Sequence, residues 1–386
     1  MTVHVALIAG PMYDPLYARL PDFTAATGIE VDVAFQADHP TLNEHLAHLS
    51  PAPYDLVSTH TKYAPSQTAF LAPLDTLLAV HELDDFVPRL LGLAHIDGQL
   101  YSVPRNVDLR LLHYRTDILS RVPRTWDELL DAARAVSKPP HFYGFLFPGM
   151  ESGLFGTFYE LAEMGGAELF PPDLVPQIEN AGGRWALRFL RTCYAERLAP
   201  PEIVEWHYDK VHDFFRDGHA AMVGDWPGYY GDYCDARTSR VHDRFALVRY
   251  PLGPTGASLV YGGSHTFALT QQGARKAEAL ALLRFLVAPD QQLLEARHGA
   301  VPVRQSIMRV VQGEAAPVAK ARWETLEAAM TGVVIPPKFA RYPEVEEVLW
   351  KTVQAAMTGH LSIDEALRRM TSQIRSIVSP HEANHE

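Results

Sequence analysis

The sequence predicts an α/β protein with two domains, and three observations support this fold class. The chain has 386 residues, whereas a single domain usually has roughly 100–200. Strand-like and helix-like segments alternate through residues 3–60, which is typical of right-handed βαβ units and a parallel sheet. No low-complexity linker divides the chain, so we expect it to pass between the two domains more than once.

Composition argues against several classes of partner. The formal charge is −12, from 46 acidic and 34 basic residues, and no stripe of Lys or Arg occurs. Nucleic acid and anionic membrane are therefore unexpected partners. No apolar run is long enough for a transmembrane helix. The start, MTVHVALIAG, has no basic region before its short apolar run, so the sequence indicates a cytoplasmic protein or one whose export signal has been removed.

The first strands predict where a ligand would bind. VHVALIAG, IEVDVAF and YDLVSTH predict strands, and the segments DPLYARLPDFTAATG and TLNEHLAHLS predict the helices between them. Ligands of parallel sheets bind beyond the carboxyl ends of the strands. The segments that follow these strands are therefore candidates for a site: 11–13, 36–39 and 59–61.

The alternation of strands and helices continues along the chain. DGQLYSVP predicts a hairpin with Asp97–Gly98 as its turn. Thr125 and Glu128 have the spacing of a helix capping box. Further strands are predicted in VDLRLLHYR, FYGFLF, AAMVG, FALVRYPLGP and VYGGSHTFAL. Helices are predicted at about 153–164 and 183–196, in DKVHDFFRDG, and through most of the C-terminal third.

The sequence gives little support for catalysis or for a bound cofactor. No P-loop, dinucleotide-binding G-x-G-x-x-G, G-x-S-x-G or C-x-x-C pattern occurs. Glu205, His207 and His212 lie close together, but their spacing does not put both histidines on one helical face, so we expect no metal site there. The two cysteines, Cys193 and Cys234, either pair or remain free thiols.

Five fragments in order along the chain resemble segments of one family. They are IDGQLYSVPRNVDLRLLHYRTDIL, RTWDELLDAAR, FFRDGHAAMVGDWPGYY, VYGGSHTFAL and RFLVAPDQQLLEARHGAVPVRQS. They resemble the extracellular solute-binding proteins of ABC importers, of the sugar-binding type (family 1, maltose-binding-protein-like). The resemblance implies the two-lobed periplasmic-binding-protein fold of type II, with a mostly parallel sheet flanked by helices in each lobe and a ligand cleft between the lobes.

The resemblance also implies a function and partners. It implies a monomeric, non-catalytic receptor without a cofactor, located in the periplasm or at the cell surface. Such a receptor captures a mono- or oligosaccharide, neutral or acidic, and delivers it to the membrane permease subunits. Mapped onto this sequence, the N-terminal lobe takes 1–108 and 262–305, and the C-terminal lobe takes 112–258 and 306–386. The hinge segments fall near 106–111, 259–263 and 303–306.

An aromatic segment lies where a predicted strand ends. Trp226, Tyr229, Tyr230 and Tyr233 have the spacing of one helical face, with Asp225 as the predicted N-cap. Packing on the core explains Tyr233 best, and Tyr230 fits the core or the site equally. Trp226 lies at the strand-to-helix turn, which faces the cleft in this topology. We therefore expect its indole to stack on the apolar face of a sugar.

Glycines and a helix start give further candidates. Gly262 and Gly263 would let a ligand approach the backbone closely, or would form a plain bulge. Glu151 and Ser152 follow the strand FYGFLF and begin a helix. These two side chains would bond sugar hydroxyls or cap that helix.

Strand ends and hinge segments complete the predicted ligand set. Asp108 would touch the ligand or form a hinge ion pair with Arg110. An inward orientation of two of the basic residues Arg304, Lys338 and Arg341 would favour an acidic sugar. The remaining candidates are Tyr13, Asp38, His39, His60, Thr61, Asn106 and Ser264.

Two other functions stay open at this point. Tyr229 and Tyr230 are adjacent, and paired phenolate oxygens suit a hard metal such as ferric iron. A sugar hydrolase using Glu151 and Asp225 would need the two carboxylates about 5–10 Å apart.

Overall fold

The computed structural model describes residues 1–49, 51–315 and 317–379. Two separate sheets, each flanked by helices, and a small third sheet form its framework. The strands are β1 (Thr2–Ile8), β2 (Glu30–Ala37), β3 (Leu56–His60), β4 (His95–Ile96), β5 (Gln99–Leu100), β6 (Val103–Pro104), β7 (Asp108–Leu109), β8 (Leu111–Arg115), β9 (Tyr143–Leu146), β10 (Ala220–Asp225), β11 (Phe245–Val248), β12 (Val260–Gly263), β13 (His265–Leu269) and β14 (Val333–Val334).

The α-helices include both long packing helices and single turns. In chain order they are α1 (Asp14–Tyr17), α2 (Leu20–Thr27), α3 (His39–Ala47), α4 (Ala64–Gln67), α5 (Val80–Leu83), α6 (Pro88–Leu93), α7 (Trp126–Val136), α8 (Glu151–Met164), α9 (Ala181–Ala195), α10 (Tyr208–Arg216), α11 (Tyr230–Cys234), α12 (Ala277–Leu286), α13 (Pro289–Arg297), α14 (Gln305–Glu314), α15 (Pro317–Met330), α16 (Tyr342–Met357) and α17 (Ile363–Val378). Among the described residues, no helix is both long enough and apolar enough to cross a membrane.

The first large sheet defines the N-lobe. Its strand order is β2-β1-β3-β13-β6, and β1 runs parallel to both β2 and β3. β2 lies at the edge, and its side chains are mostly exposed, which explains the alternating pattern of IEVDVAF. β3 is buried throughout because it lies inside the sheet.

The second large sheet defines the C-lobe. Its order is β11-β8-β10-β9, and β10 runs parallel to β9 but antiparallel to β8. Trp126 of α7 is almost fully buried on this sheet and packs edge-on against Phe145 and Phe189. The C-terminal helices complete this lobe, because α16 packs on α8, α9 and α17.

Each large sheet contains one strand that runs against its neighbours. These strands are β8, which pairs antiparallel with β10 and β11, and β13, which pairs antiparallel with β3 and β6. β8 directly follows β7, and β13 directly follows β12. Because β7 and β12 belong to the small third sheet between the lobes, the chain enters both reversed strands from the side that faces the other lobe. Each sheet is therefore mostly parallel in strand direction, as expected, with one reversed strand that makes it a mixed sheet. At the cleft, the amino end of the reversed strand lies beside the carboxyl ends of its neighbours.

The third sheet connects the lobes. Its order is β14-β12-β7, with Gly262 and Gly263 of β12 opposite Leu109 and Asp108 of β7. The hinge segments predicted near 106–111 and 259–263 fall on these two strands.

The structure does not place the third passage near 303–306. The backbone N–H of Val87 donates to Val303, and that of Gln305 donates to Asp85, at 2.9 and 2.7 Å, so this segment is fixed to the N-lobe. The next helix, α14, packs on α13, whereas α15 packs on β11 of the C-lobe. The chain therefore crosses after α14, and β14 then joins the hinge sheet. Residues 380–386 of the predicted C-terminal lobe lie outside the described residues.

Local signals in the sequence predicted several elements correctly. β4 and β5 form the expected hairpin, with Asp97 and Gly98 in left-handed conformations at φ 48° and 83°. Thr125 caps α7 and accepts a hydrogen bond from the backbone N–H of Glu128. The two cysteines, Cys193 and Cys234, are free thiols.

Candidate functional site

A cavity between the two lobes contains most of the strand ends. About 600 Å³ of space lies between its walls, and this value includes open solvent. The N-lobe contributes residues that follow β1, β2 and β3, together with the first residue of β13. The C-lobe contributes the start of α10 and the segment after β10, and the hinge sheet contributes β7 and β12.

Three imidazoles form the N-lobe wall of the cavity. His60 ends β3, His265 begins β13, and His39 begins α3. Their ring centroids are 5.0 Å apart for His60–His265, 5.0 Å for His39–His265 and 5.7 Å for His39–His60. The reversed direction of β13 produces this cluster, because it brings the amino end of that strand beside the carboxyl end of β3.

Tyr13 and Asp38 complete this wall. Asp38 caps α3 by accepting the backbone N–H of Thr41 at 3.0 Å. The ring of Tyr13 packs edge-on against His265 at 5.6 Å and covers the guanidinium of Arg105 at 4.5 Å. Burial raises the pKa of the Tyr13 hydroxyl well above its usual value, so this group is a neutral hydrogen-bonding hydroxyl at neutral pH.

Asp108 lies where the hinge sheet meets the cavity. The side-chain amide of Asn106 donates to its Oδ1 at 2.8 Å. Its other oxygen, Oδ2, is buried without a hydrogen-bond partner and lies 3.5 Å from Nε2 of His265. Burial is the main reason why the pKa of this carboxyl rises to about 7. The carboxyl can therefore exchange a hydrogen bond with a bound ligand in either protonation state.

Aromatic rings form the C-lobe wall. Trp226 follows β10, and Asp225 fixes its backbone by accepting the Trp226 N–H at 2.8 Å. Tyr208 contacts the indole edge-on at 5.5 Å between ring centroids, and Tyr261 lies 6.0 Å away. The guanidinium of Arg110 lies 5.7 Å from the indole centroid. These contacts hold the ring of Trp226 in one orientation at the cavity.

The cavity has few charges available for a ligand. Burial lowers the pKa of His207 and of His265 to about 3, and it also lowers the pKa values of His39 and His60. These four imidazoles are therefore uncharged at neutral pH. Among the described residues that line the cavity, the cationic side chain is that of Lys62. Its ammonium is paired with the carboxylate of Glu346 on α16 at 2.6 Å.

Comparison with known proteins identifies the family of the chain. The family model described as bacterial extracellular solute-binding protein matches residues 18–321. The chain belongs to this family. The family consists of binding proteins, which confirms the expectation of a receptor rather than an enzyme.

The curated relatives of this solute-binding protein are distant. A putative binding protein of Brucella abortus is 24% identical over 294 residues, which is 70% of this chain and 71% of the relative. A probable ABC transporter-binding protein of Deinococcus radiodurans is 23% identical over 234 residues, 58% of this chain and 55% of the relative. The mannitol-binding protein of Pseudomonas aeruginosa is 27% identical over 228 residues, 55% of this chain and 51% of the relative.

Solved structures agree with the predicted architecture. Maltose-bound MalE3 of T. maritima superimposes with a TM-score of 0.89 at 23% identity, covering 97% of this chain and 99% of that one. A ribitol complex of a solute-binding protein from Agrobacterium radiobacter K84 gives 0.83 at 21% identity and covers 98% of each chain. The solute-binding protein therefore has the two-lobed fold that its sequence predicts.

The structure brings six of the predicted ligand residues to the cavity: Tyr13, Asp38, His39, His60, Asp108 and Trp226. Their contact with a ligand remains a prediction. Three other candidates form a network behind the cavity wall. The backbone N–H of Ser264 donates to the hydroxyl of Thr61 at 3.3 Å, and the Ser264 hydroxyl donates to the carbonyl of Asn106 at 2.7 Å.

Glu151 and Ser152 lie at the start of α8, next to the cavity. The Ser152 hydroxyl is 3.4 Å from Nε2 of His207 and 3.3 Å from the hydroxyl of Tyr208, so it positions two lining side chains. The Glu151 carboxylate lies 3.9 Å from His207, and the backbone of Glu151 is left-handed at φ 50°. A left-handed non-glycine residue is strained, which makes Glu151 a candidate for a contact at the cleft entrance.

The two hinge glycines do not line the cavity. A Cβ on Gly263 would lie 2.4 Å from Cε1 of His60, and one on Gly262 would lie 2.7 Å from the carbonyl oxygen of Asp108. Packing between hinge strands and the His60 ring therefore requires glycine at these positions. The expected close approach of a ligand to the backbone is replaced by the close approach of protein atoms.

Two basic candidates are also placed outside the cavity. Arg304 donates to the carbonyl of Val287 at 2.9 Å and packs on Phe86 at 4.2 Å. Lys338 donates to the carbonyls of Gly92 and His95, at 3.0 and 2.6 Å. The side-chain arrangement that would have favoured an acidic sugar is therefore not formed.

The aromatic segment is not one continuous helix. Asp225 is the last residue of β10, a short 3₁₀ turn covers Pro227–Tyr229, and α11 begins only at Tyr230. Because the helix type changes, the side chain of Tyr230 points away from the cavity. It packs instead on Phe245 and on the guanidinium of Arg322. The hydroxyl of Tyr229 instead donates to Asp209 at the cavity.

These positions remove the support for the alternative functions. The adjacent phenols of Tyr229 and Tyr230 do not converge on one point, as an iron site would need. The predicted hydrolytic partner of Glu151, Asp225, accepts hydrogen bonds from Tyr233 and Trp226 and does not line the cavity. His212 is 3.2 Å from Asp225 and does not combine with His207 at one site.

Several lining residues were missed by reasoning from sequence. His207, Tyr208 and Asp209 begin α10, which follows a 3₁₀ turn instead of a strand, so the strand-end rule does not select them. His265 lies at the amino end of β13, and only the reversal of that strand brings it to the cleft. Tyr261 and Lys62 also line the cavity, and neither one had a distinctive local signal.

Proposed function

We propose that this protein is the receptor of an ABC importer and that its interlobe cavity binds a neutral carbohydrate or polyol. We further propose that it works outside the cytoplasmic membrane, as a monomer, and delivers the ligand to the permease subunits. The observation that carries the proposal is the pairing of an aromatic wall with a polar wall across one cavity.

The two walls match the two kinds of surface on a sugar. The indole of Trp226 and the neighbouring rings of Tyr208 and Tyr261 offer flat apolar faces for C–H groups. On the N-lobe side, His39 and Asp108 offer hydrogen-bond donors and acceptors for hydroxyl groups. Sites with apolar linings and a few placed polar groups are typical of small-molecule binding.

The charge of the cavity supports a neutral ligand. Its histidines are uncharged at neutral pH, because burial lowers their pKa values. Lys62 is neutralised by its partner Glu346, and the lining carboxylates would repel an acidic ligand. A sugar acid would therefore enter without a cation to balance its charge, at a high desolvation cost.

One distant relative, a mannitol-binding protein, supports the same ligand class, and the similar solved structures hold maltose, α-D-tagatose and ribitol. Another relative is a probable amino-acid ABC transporter periplasmic-binding protein, so amino acids are a competing class in the test.

A ligand screen by thermal denaturation tests the proposal. The panel contains neutral monosaccharides, disaccharides and polyols, with sugar acids, amino acids and polyamines as the competing classes. A ligand at 100 times its Kd adds about 2.7 kcal/mol of stability, so we expect a clear rise in melting temperature with at least one neutral compound. If only amino acids, polyamines or acids stabilise the protein, the proposed ligand class is overturned.

The Trp226→Ala variant locates the binding site. We expect it to abolish the stabilisation by the neutral compound and the heat of binding measured by titration calorimetry. Trp350→Phe is the control, because Trp350 lies on α16 beside Lys351, outside the cavity. Equal affinities in Trp226→Ala and the unmodified protein would show that the ligand binds elsewhere.

A further inference from the structure

We propose that His60, His265 and Asp108 bind a divalent transition-metal ion such as Zn²⁺ or Co²⁺ at the floor of the cleft. This site goes beyond the proposed carbohydrate function and does not require it. It differs from the ferric site considered from the sequence, because it uses imidazoles and one carboxylate instead of paired tyrosines.

The spacing of the three side chains supports the site. One ligand atom from each lies within 4.8 Å of the ligand atoms of the other two. Zn²⁺ binds imidazole nitrogen and carboxylate oxygen at about 2.0–2.2 Å, so two ligands of a tetrahedral ion lie about 3.3 Å apart. Nε2 of His265 and Oδ2 of Asp108 are already 3.5 Å apart. The ligand atom of His60 lies within 4.8 Å of both.

Asp108 provides an independent observation. Its side chain is buried, with 8% of the residue exposed, and Oδ2 has no hydrogen-bond partner among the described residues. A buried carboxylate oxygen without a partner is costly, and such an atom calls for an explanation. A metal ion would provide the missing partner, since carboxylate oxygen is an ordinary Zn²⁺ ligand.

Asn106 holds two of the three ligands in place. Its amide nitrogen donates to Oδ1 of Asp108 at 2.8 Å, and its amide oxygen accepts the backbone N–H of His265 at 3.1 Å. Hydrogen bonds of this kind orient metal ligands and raise metal affinity. Asn106 thus fixes the second carboxylate oxygen of Asp108 on β7 and the backbone of His265 on β13.

The ring of His60 packs against the strand that pairs with Asp108. The atoms Cε1 and Nε2 of its ring face Gly263, which is the strand partner of Asp108. The other nitrogen, Nδ1, accepts the backbone N–H of Lys62 at 3.2 Å. Coordination through Nε2 needs the proton on Nδ1, so this hydrogen bond is lost when the metal binds, and the metal bonds must offset that cost.

Two imidazoles and one carboxylate leave coordination positions for other ligands. Sets of three protein ligands are typical of zinc sites that keep an open position, and mixed nitrogen and oxygen donors suit Zn²⁺, Co²⁺ or Ni²⁺. All three residues line the interlobe cavity. A water molecule or a group of the transported solute could therefore complete the coordination of the ion.

Cobalt titration of metal-free protein without a His tag tests the site. We expect one tight equivalent with visible absorption of Co²⁺ in a nitrogen and oxygen environment, displaced by Zn²⁺. We expect His265→Gln and Asp108→Asn to weaken binding at least about 100-fold, because loss of an outer-shell partner alone costs 10–100-fold. His207→Gln is the matched control, since this imidazole lines the same cavity but lies outside the ligand group.

The outcomes decide the proposal in either direction. Failure of the unmodified protein to bind Co²⁺ or Zn²⁺ more tightly than His265→Gln overturns it, as does an equal loss in His207→Gln. Circular dichroism shows whether each variant is folded. If His265→Gln does not fold, the Asp108→Asn variant decides the proposal, because asparagine keeps the shape of the side chain. Carbohydrate binding with and without EDTA tests the proposed function separately from the metal site.

Discussion

His113 provides a quantitative test of how this protein depends on pH. The residue lies in β8, is fully buried, and packs against Tyr233 at 5.3 Å. Its Nδ1–H donates to the carbonyl of Leu111 at 3.2 Å, while Nε2 has no partner. Burial lowers its pKa from 6.5 to about 4, although the facing carboxylate of Asp225 opposes this change.

The sign and size of the effect follow from these two pKa values. Between pH 6.5 and pH 4 the unfolded chain protonates His113 and the folded protein does not, so the stability present above pH 6.5 is lost as the pH falls. The full loss is about 3 kcal/mol, since a pKa difference of about 2.5 (6.5 − 4) corresponds to about 1.4 kcal/mol for each pKa unit. At pH 5 the loss is about 2 kcal/mol. The facing imidazole of His212 and guanidinium of Arg322 act in the same direction.

The assay compares His113→Asn with the unmodified protein in urea. Asparagine keeps a donor for the Leu111 carbonyl but does not titrate, and the cost of its smaller size does not depend on pH. The unmodified protein should therefore lose about 2 kcal/mol more than the variant between pH 7.5 and pH 5. Unfolding is followed by circular dichroism and tryptophan fluorescence at both pH values. Parallel pH profiles for the two proteins would refute the reasoning.

Two further variants test the cleft. Lys62→Met should reduce the free energy of unfolding by about 3–5 kcal/mol, because it leaves the buried carboxylate of Glu346 without its cation. Adding Glu346→Gln should restore part of this loss, as measured in a double-mutant cycle in urea. Strictly additive effects of the two substitutions would contradict a direct pair. Gly263→Ala should weaken binding of the cavity ligand, because its methyl group would displace the ring of His60. Titration calorimetry compares this variant with Gly313→Ala, whose methyl group meets no atom within 4 Å. Equal affinities of the two variants would contradict this role of Gly263.

Local patterns made much of the fold predictable. Alternating apolar residues, the cap at Thr125 and the turn at Asp97–Gly98 depend on neighbours in sequence, and the structure contains them. The order of five short fragments was enough to indicate the family. The third interlobe passage was misplaced because the contacts that fix Val303 involve residues around Val87, which are far away in sequence.

The candidate site was predictable only in part, for a physical reason. The rule that ligands meet the carboxyl ends of strands selected Asp38, His39 and His60, and all three line the cavity. It could not select His265, because nothing in the local sequence shows that β13 runs against its neighbours. Helical spacing left Tyr230 equally between the core and the site, and the 3₁₀ turn at Pro227–Tyr229 changed the rotation per residue that this spacing assumes.

The reversed strand β13 also constrains the order in which the protein can fold during synthesis. The strand β6 is made early, but its sheet partner is β13, which a ribosome adds only after every strand of the C-lobe sheet has been made. The sheet that contains the start of the chain is therefore completed later than the sheet that follows it. A nascent chain that stops before β13 therefore leaves the edges of β3 and β6 without their partner strand.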